Sequence, residues 1–173
     1  MSDGWIIGAA SGGRQAMPVS QIVIRPMRDE DVPVLHAIHE RAVSMTCAPL
    51  LPGTVVEAWL RDRTPEGYLR ARDERGERFW VAEYRGLRAG FASWRGEWLM
   101  ALFVDPDHQG NGIGRRLFDA CDRDAADGGG KIARLGSTLN ARGFYEGLGF
   151  RVTGEGYEEK FGERVPHLEM LRL

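Results

Sequence analysis

The sequence predicts a mixed α/β (α+β) domain whose central sheet is mostly antiparallel and carries helices on both faces. Three observations predict it. Phe79 to Tyr84 and Ala89 to Arg95 flank a turn at Arg85–Gly86, the pattern of an antiparallel hairpin. Trp98 to Val104 is continuously apolar, as expected of a central strand covered on both faces. A three-glycine loop follows and opens onto an amphipathic helix, so a further short strand after Gly130 should run parallel to the strand that begins after Glu97.

Residues 1–19 read as a loose, flexible leader of Gly, Ala and Ser, with Met17 as an alternative start, and residues 20–173 as a single domain. Gln21 to Arg25 alternates and is β-branched, which predicts a strand that Pro26 helps to stop. A helix is expected from about Asp29 to Met45. Asp29, Glu30 and Asp31 suit its positive end, and Val34, Leu35, Ile38, Ala42 and Met45 form its apolar stripe. Pro49 and Pro52 break it. Thr54 with Glu57 has capping-box spacing before Trp59 and Leu60, and Thr64 with Pro65 opens another helix through Tyr68 and Leu69.

From Gly112 to about Ala126, Ile113, Leu117, Cys121 and Ala125 recur at i, i+4 spacing with charges on the other side. Gly128 to Gly130 ends that helix. Lys131 to Ser137 predicts a strand, and Asn140 to Leu148 a helix that Gly149 closes in a left-handed cap. Phe150 to Thr153 and Pro166 to Arg172 predict the last strands, with a charged loop from Gly154 to Arg164 between them.

Composition excludes several classes. The hydrophobic fraction is 43% and the charged fraction 28%, which fits a globular chain rather than a disordered one. A net charge of −2 with scattered basic residues gives no nucleic-acid footprint. Cys47 and Cys121 make neither a disulfide framework nor a metal-ligand pattern, so both are expected reduced and no metal is expected. The longest apolar run, Trp98 to Val104, is far shorter than the ~20 residues that span a membrane. The opening MSDGWIIGAASGG lacks a basic n-region, which makes cytoplasmic location the default.

The segment LFVDPDHQGNGIG, Leu102 to Gly114, carries the functional signal. A helix N-terminus leaves backbone N–H groups without partners and bears partial positive charge, which suits a phosphate. Gly110, Gly112 and Gly114 let the backbone approach an anion closely. The loop is not a dinucleotide fingerprint, because Arg115 and Arg116 stand where that motif wants its last glycine. Nor is it a P-loop, since no Gly-Lys-Ser/Thr follows. With Gln109 at its entry, the loop points to a pyrophosphate held by main-chain N–H groups.

Gln109-Gly110-Asn111-Gly112-Ile113-Gly114 resembles the Gln/Arg-x-x-Gly-x-Gly/Ala signature of the GNAT superfamily of acetyl-CoA-dependent N-acetyltransferases. About 30 residues on, Asn140-Ala141-Arg142-Gly143-Phe144-Tyr145-Glu146-Gly147-Leu148-Gly149-Phe150 resembles the family's second signature. Leu35 to Trp59, with ERAVSMT and then EAWL, is similar to the bacterial YafP-like branch.

The resemblance implies a splayed parallel strand pair, with acetyl-CoA as co-substrate entering where the strands diverge. It implies that the backbone of Leu102, Phe103 and Val104 lies along the pantetheine arm. Gln109, Gly110, Asn111, Gly112, Ile113 and Gly114, with Arg115 behind, would hold the pyrophosphate. Asn140 would reach the pantetheine, and Tyr145 the thioester sulfur.

The implied chemistry suits these residue types. A lysine-like amine with pKa about 10.4 must lose a proton to attack, which costs ~4–5 kcal/mol at pH 7. The leaving thiolate needs a proton, and a tyrosine of pKa about 10 still carries one, so Tyr145 suits the general acid. The competing readings are a core aromatic for Tyr145, an N-cap for Asn140, and close helix packing for Gly143 and Gly147. Glu97, just before the central strand, is the candidate base. His36 and His39 read as surface or partly buried helix residues, and His167 as a minor candidate base.

The acceptor is expected between the Ala48–Tyr68 region and the Gly154–Arg164 loop, where Glu155, Glu158, Glu159 and Glu163 against Lys160 and Arg164 suggest a cationic amine. The leading expectation is acetyl transfer to the primary amine of a small molecule by direct attack in a ternary complex. A protein lysine or N-terminal acetyltransferase and a non-catalytic acyl-CoA-binding regulatory module are the alternatives. Neither nucleic acid nor membrane is expected as a partner. Exposed apolar residues such as Trp59 fit a pocket or a homodimer contact equally well.

Overall fold

The computed structural model describes residues 6–7 and 21–173. Its sheet contains β1 (Ile6–Ile7), β2 (Ile22–Pro26), β3 (Arg78–Tyr84), β4 (Leu87–Arg95), β5 (Trp98–Val104), β6 (Arg134–Ser137), β7 (Arg151–Lys160) and β8 (Glu163–Leu171). The strand order is β2-β3-β4-β5-β6-β8-β7, with β1 paired to β6. Pairings are antiparallel except β5 with β6 and β1 with β6. The helices are α1 (Val32–Ala42), α2 (Gly53–Leu60), α3 (Pro65–Arg75), α4 (Ile113–Asp127) and α5 (Arg142–Glu146). The mixed, mostly antiparallel fold with one splayed parallel pair is therefore as expected. The leader over residues 1–19 lies outside the described residues, apart from the backbone of Ile6–Ile7.

The sheet divides the apolar interior in two. Because strand side chains alternate between faces, Leu102 and Val104 join the cluster under α4, with Ile113, Leu117, Cys121 and Tyr145, while Phe103 joins the cluster under α1, α2 and α3. Both cysteines are buried and free, as expected. No helix is long and apolar enough to cross a membrane among the described residues. At the start of α1 the buried Asp31 carboxylate accepts both Arg25 terminal nitrogens at 2.7 and 2.8 Å, Arg88 Nε at 2.9 Å and the Arg28 N–H at 2.8 Å. This ties β2 and β4 to the helix.

Four expectations are corrected. The α-helix stops at Ala42 and continues as a π-turn, Val43–Cys47. A π-turn inserts a residue into the helical phase, so Met45 rotates out to 54% exposure instead of extending the stripe. Trp59 is completely buried, on a helix laid against β8, and offers no dimer contact. The Gly154–Arg164 segment is the end of a long β7–β8 hairpin, paired from Arg151↔Leu171 to Lys160↔Glu163, rather than a loop. Gly143 faces open space, so close packing does not explain it.

Candidate active site

β5 and β6 pair through a single register position, Trp98↔Arg134, next to the Ala133 and Arg134 N–H groups that donate to the Glu97 carbonyl. Beyond it the two strands separate. β5 keeps β4 on one side, through Leu102↔Ala92, Phe103↔Phe91 and Val104↔Gly90, and turns its other edge to the wedge. Within the wedge, β1 pairs with Gly136 and Ser137 of β6 and runs beside β5. Between Ser93↔Ala101 and Trp94↔Leu99 the register slips, so Met100 is the extra residue of a β-bulge. Bulges re-aim a strand and recur beside active sites.

At the open end β5 runs into a 3₁₀ turn, Pro106–His108, whose Asp105 carboxylate accepts the Asp107 N–H at 2.9 Å. Gln109 Nε2 donates to the Val104 carbonyl at 3.2 Å and Asn111 Nδ2 to the His108 carbonyl at 3.0 Å, so both side chains brace the loop. Gly110 and Gly112 hold φ of +80° and +79°, a region that suits glycine. Gly112 is the N-cap of α4, and no side chain caps the helix there. The first-turn N–H groups of a 15-residue helix are thus left for an outside partner. Ile113 and Gly114 are buried under the loop, while Arg115 is exposed and pairs with Asp119 at 3.2 Å.

Tyr145 is completely buried within the α4 cluster and its hydroxyl has no partner. Burial holds its pKa well above the usual tyrosine value. Asn140 donates from Nδ2 to the Thr46 carbonyl in the π-turn at 3.2 Å, leaving its buried Oδ1 unpartnered. A buried polar atom without a partner is costly, and two of them sit in the second signature. An uncapped helix start, an open strand edge and these two orphans fit a ligand of the pyrophosphate–pantetheine kind.

Glu97 is not brought to this group. It is exposed at the β4–β5 turn, paired with Arg134 at 2.6 Å. It lies at the closed end of the wedge, where β5 and β6 still touch.

A cavity of about 210 Å³ opens on the other face of β5, lined among others by His39, Arg63, Tyr68, Glu77, Met100 and Lys160. His39, expected at the surface or partly buried, is 3% exposed. Its ring stacks on Phe103 and its Nδ1 lies 2.9 Å from the Tyr68 hydroxyl, while Nε2 has no partner. Burial, followed by the Arg63 charge, holds His39 well below the ordinary histidine pKa, so it is neutral at pH 7. Glu77 is buried and accepts a hydrogen bond from the Ser93 hydroxyl at 2.5 Å, opposite the bulge. Burial pushes its carboxyl pKa up.

Sequence reasoning passed over Glu77 and misread His39. The signal for His39 was its place on the apolar stripe, four residues after Leu35 and beside Ile38. His36 and Glu40 form an i, i+4 pair at 3.5 Å. His167 stands opposite Gly156, where an added Cβ would meet His167 Nε2 at 2.7 Å, so that glycine makes room for the ring. No group of His, Cys, Asp and Glu that could hold a metal occurs among the described residues.

A splayed parallel pair beside an uncapped, glycine-started helix is the architecture of an acyl-CoA-dependent transferase, and the family comparison agrees. The model of the acetyltransferase (GNAT) domain matches residues 38–171, and the chain belongs to that family. It is an N-acetyltransferase with acetyl-CoA as co-substrate. The peptidyl-lysine N-acetyltransferase YjaB of Salmonella typhimurium is 33% identical over 154 residues, covering 87% of this chain and 97% of the relative. The L-amino acid N-acyltransferase MnaT of Escherichia coli is 30% identical, covering 76% of this chain and 81% of the relative. A GCN5-related N-acetyltransferase from Rhodopseudomonas palustris superposes with a TM-score of 0.79 at 27% identity, over 91% of this chain and 99% of that one. The fold is shared with a Thermoplasma acidophilum PaiA N-acetyltransferase solved in complex with coenzyme A, with a TM-score of 0.66 at 21% identity, over 88% of this chain and 99% of that one.

Proposed function

We propose that this enzyme acetylates the primary amine of a small molecule by direct attack in a ternary complex. The observation that carries this reading is the half-open cavity behind β5, lined by residues of α1, α3 and β7 on the face opposite α4. Its volume of about 210 Å³ gives room for a small acceptor.

On the donor side, the backbone of Leu102, Phe103 and Val104 is assigned to the pantetheine arm. The pyrophosphate goes to the main chain from Gln109 to Gly114, with Arg115 adding charge from behind. Asn140 Oδ1 accepts from an amide of the arm. Bound acetyl-CoA supplies a thioester whose acyl carbon takes the amine and whose sulfur leaves. The N–C bond forms, the C–S bond breaks, and the Tyr145 hydroxyl gives its proton to the sulfur. A proton supplied this way is worth ~10²–10⁴ in rate. Holding both substrates in one cleft supplies roughly 7–11 kcal/mol, so positioning dominates.

The amine's proton needs an acceptor on the cavity side. Glu77 replaces Glu97 in that role here, because burial raises its pKa toward the working pH, where a general base is most effective. The two reduced, buried cysteines accord with a cytoplasmic setting. A thiol-release assay with acetyl-CoA across amines, amino acids, polyamines and lysine peptides tests the reading. Release with free small amines is expected. Release with lysine peptides alone would move the acceptor to proteins, and binding without release would make the chain a regulatory module.

A further inference from the structure

The cavity behind β5 carries a charge pattern that neither signature contains. Four of its lining residues are cationic: Arg63, Arg70, Arg75 and Lys160. Lys160 Nζ is already balanced, 3.2 Å from Glu158 and 3.5 Å from Asp62. Arg63 differs. It follows α2, its Nε is closed off from solvent without a hydrogen-bond acceptor, and it forms no ion pair among the described residues. It is nonetheless close enough to His39 and Glu77 to act on both electrostatically. A guanidinium is a flat fork of donors matched to a carboxylate, and its buried Nε left without an acceptor is costly. In the same cavity lining, His39 has an Nε2 with no partner. An incoming ammonium selects the tautomer that donates from Nδ1 to Tyr68 and leaves a lone pair on Nε2.

We propose that the cavity takes an acceptor that carries a carboxylate as well as its amine, the pair of groups of a free amino acid, with Arg63 on the carboxylate and His39 on the amine. The inference rests on the acetyl-transfer reading above and narrows its substrate class. A lysine side chain of a protein brings no carboxylate beside its amine and sets its own positive charge against Arg63. The acidic residues of the 154–164 segment do not oppose this. Glu155, Glu159 and Glu163 do not line the cavity, and buried Glu158 is engaged with Lys160.

The test compares L-amino acids with their decarboxylated counterparts, leucine with isoamylamine and phenylalanine with phenethylamine, in the full-length wild type and in Arg63→Gln. Thiol release is read together with calorimetric binding of each amine in the presence of coenzyme A. The wild type is expected to favour at least one amino acid over its decarboxylated partner by about tenfold or more in kcat/KM, since a site built to pair a polar group rejects an analogue that lacks it. Arg63→Gln should raise KM for the amino acid by about tenfold more than for the bare amine, and leave acetyl-CoA affinity unchanged. A wild type that prefers bare amines or lysine peptides overturns the inference, as does an Arg63→Gln enzyme that weakens both substrates equally. Absence of thiol release with every amine would sink the acetyl-transfer reading instead. Calorimetry then still decides the cavity's ligand, because amino-acid binding lost in Arg63→Gln upholds the anion site and no binding to wild type refutes it.

Discussion

The imidazole of His39 stacks on the Phe103 ring with centroids 4.0 Å apart and 25° between the planes. This contact packs an α1 side chain of the acceptor cavity on β5, the strand whose free edge faces the wedge, so both substrates meet at β5. It also predicts a separable defect. His39→Gln keeps a hydrogen-bonding group near Tyr68 but removes the ring, and should weaken the acceptor's KM by about tenfold while leaving coenzyme A affinity unchanged. Steady-state kinetics beside calorimetry checks this, and a loss of coenzyme A binding would contradict the assignment of His39 to the acceptor side alone.

Tyr145→Phe removes only the unpartnered hydroxyl from a packed core. Stability should stay within about 1 kcal/mol of wild type or rise slightly, because a buried orphan is lost. Turnover should fall at least about tenfold with little change in acetyl-CoA affinity. Unchanged turnover would remove Tyr145 from the mechanism.

Glu77→Gln should keep the Ser93 hydrogen bond and lower kcat. In the wild type the rate falls as pH drops through the raised Glu77 pKa, and this acid limb should vanish in the variant. A pH–rate profile that keeps the limb would return the base role to another group.

Asp31 and Glu77 push acid stability in opposite directions. The Arg25 hydrogen bonds hold the Asp31 carboxyl below the usual range. Its contribution is therefore present above the unfolded pKa near 3.9 and is lost as pH falls toward its folded value. Glu77 is raised, so its contribution is present below the unfolded pKa near 4.3 and is lost as pH rises through the folded one. Asp31→Asn should cost about 3 kcal/mol at pH 7, since it leaves Arg25 and Arg88 beside a neutral group. Glu77→Gln should flatten the decline that begins as pH rises past the unfolded carboxyl value. Denaturant melts across pH 2–8 check both signs.

Gly112→Ala separates fold from ligand. An added Cβ meets no protein atom within 4 Å, so the structural cost is the strain of alanine at φ +79°, about 1 kcal/mol. A loss of coenzyme A affinity well beyond what thermal melting reports would show that the backbone there meets the pyrophosphate. A chain beginning at Met17 should fold alike and bind acetyl-CoA at least as tightly, because it lacks the β1 strand that pairs inside the wedge. Affinity reduced tenfold would contradict this.

The elements around the donor site were legible because their signals are local. β5 begins and ends where its apolar run does, and α4 follows its i, i+4 stripe within a residue. Gly149 holds φ +90°, the left-handed cap its position predicted. The acceptor side was less legible because tertiary partners define it. The β7–β8 hairpin hides behind Gly154 and Gly156, whose missing side chains make room for Glu169 and His167 of the opposite strand. The π-turn leaves no mark in composition, yet it turns Met45 outward and presents the Thr46 carbonyl to Asn140. Glu77 looks like one more charge at a helix end until β4 brings Ser93 against it.

Amide hydrogen exchange on the full chain, with and without saturating coenzyme A, tests the diphosphate cradle most directly. The account predicts one-to-one binding, with slowed exchange concentrated in the main-chain N–H groups from Gly110 to Arg115 and along Leu102–Val104. Binding that leaves those amides unchanged, or no binding at all, would contradict it.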